Sequence, residues 1–269
     1  MFSHKERFWG GLVGVLLLAA VAAQAGTISD TIFRIEATND VGWGYVEFSS
    51  SELVYHGGSN PYWTWSTGMH AIPENGDIFG DTIASLDSAT LQIVSDPASG
   101  APYRLNFGFV LHSGATLTHF RVETAQVSFP GIPAAYLQPP AGGGNATASL
   151  GATDESGDGV LMESTGGAGT GIYTTQYNGF VPTGTTFASL VNSVEGGPGS
   201  GGVGIQAYPN LTEYAAIAVD VTDMSSQLDF TLTPYDGGNG TLTYKILPEP
   251  TTSVALLALA GVVLAWRRR

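Results

Sequence analysis

Apolar side chains recur at every second position over much of the chain. Tyr103, Leu105, Phe107, Phe109 and Leu111 alternate with Arg104, Asn106, Gly108, Val110 and His112, which predicts a strand with one buried face. Upstream, Leu91 and Ile93 against Thr90 and Gln92 repeat the pattern. The phase then changes. Phe120 and Val122 occupy even positions while Ala125, Val127 and Phe129 occupy odd ones, so a bulge near Glu123 and Thr124 is expected. Towards the end, Leu228, Phe230 and Leu232 form one alternating run and Leu242, Tyr244 and Ile246 another. Residues 234–240 between them read as the turn of a hairpin. Residues 214–221 read both ways, helical through Ala215, Ala216, Ile217 and Ala218, extended through Val219 and Val221.

The 37 glycines and 14 prolines argue against long helices, because they cost about 1 and about 3 kcal/mol each inside one. The prediction is all-β: a single antiparallel β-sandwich or jelly-roll-like domain over residues 26–246. The glycine-rich stretches 141–145, 166–171 and 196–204 read as loops between its strands, since strand patterns resume after each.

Charge narrows the function. Between residues 26 and 246 the cations are Arg34, Arg104, Arg121 and Lys245, against 21 acidic residues, a formal charge of −17. That excludes a nucleic-acid partner, whose affinity rests on clustered cations. With no cysteine in the chain, neither disulfides nor thiolate chemistry is available.

Both ends carry addresses. Residues 1–25 read as a secretory signal peptide: Lys5 and Arg7 form a positive start, residues 12–22 an apolar run, and Ala23 and Ala25 the small residues of a signal-peptidase site. The mature chain is expected to begin at Gly26. At the other end Pro248, Glu249 and Pro250 precede an uncharged apolar segment, 254–266, closed by Arg267, Arg268 and Arg269. Thirteen residues are short of the roughly 20 that span a bilayer as a helix, so this hydrophobic helix is marginal as a permanent anchor. The three arginines would stay on the cytoplasmic side and leave the body outside. The two prolines keep the motif extended and accessible.

Residues 247–269, with Pro-Glu-Pro, an apolar segment and an arginine cluster in that order, resemble the PEP-CTERM sorting signal of Gram-negative bacteria. The resemblance implies recognition by an exosortase, a membrane-embedded transpeptidase, with the membrane a partner before processing. It also implies delivery to the cell surface or extracellular matrix, where carriers serve structure or adhesion. The stretch 87–158 is similar to exported bodies that carry this tail, without an activity attached.

Three chemistries are weighed for the body. Asp154, Ser156 and Asp158, with Gly159 next, set oxygen ligands at positions 1, 3 and 5 of a calcium loop. The twelfth position is Thr165 and the nearby acid Glu163 stands at the tenth, so an acidic turn between strands fits the same residues. Calcium is the one cofactor the sequence suggests. Trp43, Tyr62, Trp63 and Trp65, among Tyr45, Tyr55, His56, Asn60 and His70, offer stacking surfaces for a polysaccharide, or else core. No histidine spacing, nucleophile elbow or cofactor fingerprint is present, so a non-enzymatic body is expected. A carbohydrate-binding module is the first alternative. A secreted hydrolase is the second, and it requires two carboxylates about 5 to 9.5 Å apart.

Overall fold

The computed structural model describes residues 26–74, 81–95, 101–166, 170–180 and 183–249. The signal peptide at 1–25, and the tail from Pro250 through the apolar segment to the arginines, lie outside the described residues.

Two antiparallel sheets enclose one hydrophobic core, as the period-two runs require. The ten-stranded sheet is organised on β17 (Val221–Leu232). On one flank β17 pairs with β9 (Thr118–Thr124) and β10 (Val127–Ile132), and on the other with β12 (Val160–Ser164) and β13 (Tyr173–Tyr177). Beyond β9 lie β2 (Thr31–Thr38) and β3 (Trp43–Ser49). Short β1 (Thr27–Ile28), β14 (Thr185–Leu190) and β15 (Ser193–Gly196) add to β10, β13 and β12.

The eight-stranded sheet runs β16 (Gly201–Tyr208), β11 (Gly143–Thr153), β18 (Gly237–Leu247), β8 (Tyr103–Ser113), β7 (Thr82–Val94), β5 (Tyr62–Thr67) and β4 (Val54–His56). β6 (His70–Pro73) also pairs with β7.

Aromatic rings join the sheets across the core. Phe109 meets Phe230 at 6.4 Å, Phe33 meets Phe107 at 6.2 Å, and Phe107 meets Tyr173 at 6.5 Å. The bulge falls where the phase change placed it. Glu123 pairs with Gln227 but Val127 with Met224, so β9 and β10 carry one more residue than the facing stretch of β17. That extra residue moves Val127 and Phe129 onto the buried face already used by Phe120 and Val122.

The expected hairpin does not form. β17 belongs to one sheet and β18 to the other, where β18 lies between β11 and β8. Residues 233–236 carry the chain over the edge of the core, with Tyr235 at φ 56°. The fully buried Asp236 pins the crossing: its carboxylate accepts from the Thr233 hydroxyl and from the Glu155 N–H at 3.1 Å. Its backbone exchanges bonds of 3.0 Å with Ser113 on β8. Gly237 to Gly240 are therefore strand and not turn.

Glycine misled elsewhere for the same reason. Gly143, Gly144 and Asn145 open β11, and β16 begins at Gly201. A Cβ on Gly144 would stand 2.6 Å from the Phe187 ring, and one on Gly240 would stand 2.6 Å from that of Phe109. These glycines admit neighbouring rings. Residues 214–220 are neither helix nor strand, apart from a single bridge between Ala215 and Gly144.

Candidate functional site

Alternation that buries one half of each strand displays the other half. Across the outer face of the eight-stranded sheet the register aligns Ser66, Thr90, Gly108, Thr241 and Ser149 in one row. Thr64, Gln92, Asn106, Thr243 and Thr147 form the row beside it. With strands about 4.8 Å apart, each row of five extends about 19 Å. Every side chain in the two rows is neutral.

Gly108 leaves a gap between Thr90 and Thr241, and a groove of about 510 Å³ opens there, bounded at one end by Glu52 and Val54. A second hollow of about 350 Å³ shares Thr90, Gly108 and Thr241. A third, of about 360 Å³, adjoins through Gln92 and holds Asn60, Tyr62 and Arg104. The Gln92 amide oxygen accepts from Asn106 at 2.9 Å and from Arg104 at 3.1 Å, which fixes the groove wall. The hydroxyls of Ser66, Thr90 and Thr241 have no hydrogen-bond partner among the described residues. They are open to an incoming ligand as donors and acceptors alike.

The aromatic candidates do not share one surface. Trp43 lies on β3, on the outer face of the other sheet, 47 % exposed and stacked on Tyr45 at 5.9 Å. Tyr62 stacks on His56 at 4.6 Å beside the groove. Trp63 packs against the core and touches Tyr55 at 4.8 Å. Trp65 is core, 5 % exposed, 4.6 Å from Phe48 and 5.3 Å from Phe33. Period two turns residues 63 and 65 inwards together, so for Trp65 the structure has the core placement that was weighed beside the stacking one.

The acidic loop is brought together, and its oxygens are engaged from within. Asp154 accepts from the N–H groups of Gly199 at 2.5 Å, Gly157 at 2.7 Å and Gly159 at 3.1 Å. Those bonds, led by that from Gly199, hold its carboxyl below the usual carboxylate range. The Ser156 hydroxyl bridges Asp154, at 3.0 Å, and Asp158. Beside it, His112 stands between Asp87 at 3.1 Å and Glu155 at 2.8 Å. Burial opposes its charged form, but the bond to Glu155 and the two negative charges outweigh burial and raise its pKa above 6.5. Among the described residues, no group of three or more His, Cys, Asp or Glu is placed to hold a metal ion.

The C-terminal exit is also fixed by the fold. β18 ends at Leu247, and two residues later the Glu249 N–H donates to the Tyr136 carbonyl at 2.8 Å. Residues 247–269 match the PEP-CTERM protein-sorting motif. The chain carries that motif directly on the last strand of its core. A PEP-CTERM tail marks an exported protein, anchored in the membrane while an exosortase sorts it. No curated protein matches the chain. Among solved structures, that of infectious bursal disease virus Gx strain aligns at 8 % identity over 92 % of this chain and 75 % of the other. Its TM-score of 0.23 carries no argument about fold or function. Among the described residues, no helix is long and apolar enough to cross a membrane.

Sequence reasoning passed over the groove. Thr90, Gln92, Asn106 and Gly108 were legible as the solvent half of two strands, but only the register shows that they align.

Proposed function

We propose that the folded body is a non-enzymatic module of the cell surface or extracellular matrix, with a structural or adhesive role, and that it makes contact through the outer face of its eight-stranded sheet. The observation that carries this reading is the pair of neutral rows with unpaired hydroxyls on a body of charge −17. A surface of this kind presents hydrogen bonds without like-charge repulsion against an acidic matrix. The test is retention. A chain with Gly108→Tyr, which fills the groove, should still be exported but should wash out of the matrix fraction. Retention equal to that of the parent chain would sink the reading.

A second reading names polysaccharide as what the face holds. The Tyr62 and His56 stack favours it, because it places a ring beside Asn60 and Arg104 at one end of the groove. Glycan-array binding by the parent chain, lost in Gly108→Tyr and weakened in Tyr62→Ala, is the expected result.

A further inference from the structure

The eight-stranded sheet has an open edge at β16. Half of the N–H and C=O groups of an edge strand point away from its single neighbour. On β16 those groups have no hydrogen-bond partner among the described residues. Proteins ordinarily guard such an edge with a charge, a proline or a bulge. β16 has none of these: its sequence is Gly-Gly-Val-Gly-Ile-Gln-Ala-Tyr, in unbroken register with β11 from Gly201 to Tyr208. Val203 and Ile205 stand on the outer face, opposite Gly151 and Ser149, and are 72 % and 71 % exposed.

We infer that β16 is a self-association edge, which pairs antiparallel with β16 of a second copy of this chain about a two-fold axis at Gly204. Charge selects the occupant. The run from Gly196 to Thr212 contains no Asp, Glu, Lys, Arg or His, between Glu195 and Glu213. Two bodies of −17 repel over most approaches, and this run offers them a contact without charge. The strand is also self-complementary. In a pairing centred on Gly204, Val203 of each copy faces Ile205 of the other on the outer face, where directly opposed side chains lie about 5 Å apart. The four apolar side chains then cover one another. The axis stands across the sheet, so the neutral rows of both copies lie on the same side, and two eight-stranded sheets become one. A two-fold contact of this kind closes on itself.

The experiment uses the mature protein purified from the cells that export it. Sedimentation velocity across a wide concentration range should show reversible doubling of mass, strengthened by added salt as the repulsion between bodies is screened. Ile205→Glu should remain monomeric at every concentration, with its melting temperature unchanged because the site is on the surface. Pairing is then read directly, because the native chain has no cysteine. A mixture of Val203→Cys and Ile205→Cys chains should oxidise to a cross-linked pair joining one of each. A parent chain that stays monomeric overturns the inference. So does a dimer that survives Ile205→Glu, or one that forms without the mixed cross-link.

Discussion

The two outer faces of the sandwich sit on one core and follow the same alternation, yet they treat their polar halves in opposite ways. On the ten-stranded sheet the outward side chains bond to one another. Arg34 pairs with Glu36, and with Glu47 at 3.3 Å, while its guanidinium lies 4.6 Å from the centre of the Tyr45 ring. Arg121 meets Glu123 at 2.6 Å, and His119 meets Asp229 at 2.8 Å. Asp229 is held below the usual carboxylate range: burial alone would raise it, but the His119 and Thr165 bonds prevail. On the eight-stranded sheet the two rows through Thr90 and Gln92 are uncharged, with Arg104, Lys245 and His112 at their margins, and Ser66, Thr90 and Thr241 keep their hydroxyls open among the described residues. A face that satisfies itself presents little to a ligand, and one that does not remains a surface for contact. The lesson concerns placement. Arg34 and Arg121 stand in ion pairs on the ten-stranded sheet, while Arg104, bonded to Gln92, and Lys245 face each other near one end of β8 and β18.

The comparison is tested most severely through what the faces share. Phe230→Ala removes the ring contacts with Phe109 and Phe120 and should cost about 3–5 kcal/mol in chemical denaturation. Both faces should be lost in one cooperative transition. Separate transitions would mean that the sheets are not one unit. Next in size, Gly108→Tyr should reduce matrix adhesion about tenfold, worth about 1.4 kcal/mol, with little change in melting temperature. A Cβ on Gly108 would meet the Thr90 hydroxyl at 3.1 Å and the Gly240 carbonyl at 3.4 Å, so a small turn of the Thr90 side chain accommodates it.

At the rim of the neutral face, His112 adds a pH dependence. Its pKa is raised in the folded state, so its stabilisation is fully present below the unfolded value of about 6.5 and is lost as pH rises through the folded pKa. His112→Gln should therefore cost up to about 1 kcal/mol at pH 5, a figure discounted for partial exposure, and less at pH 8. An equal loss at both would mean that only packing was removed. Smallest of all, Arg34→Met on the charged face should cost about 0.5 kcal/mol or less at low salt and nothing measurable at high salt. The adhesion of the neutral face should not respond to that change.

The strands, their buried residues and the bulge at 123–127 were legible because period two and its phase follow directly from burying one face. Which strands become neighbours was not legible. Leu228 to Ile246 reads as a hairpin until Asp236, pinned to Ser113 and the loop at Glu155, turns the chain into the opposite sheet. Those partners lie 81 and more positions away in sequence. The groove was hidden for the same reason, since its rows draw one residue each from β5, β7, β8, β18 and β11. The sorting motif was legible throughout, because its order along the chain is itself the signal.

That motif leaves from β18, a strand paired with β11 from Gly237 to Leu247 and with β8 from Gly237 to Ile246. A pull on the tail is directed along this strand, so it loads the ladders to β11 and β8 in shear, with all their hydrogen bonds resisting at once. The same pull on an edge strand would open its bonds one after another. A body tethered through this end therefore resists mechanical unravelling best in the direction from which its anchor would draw it.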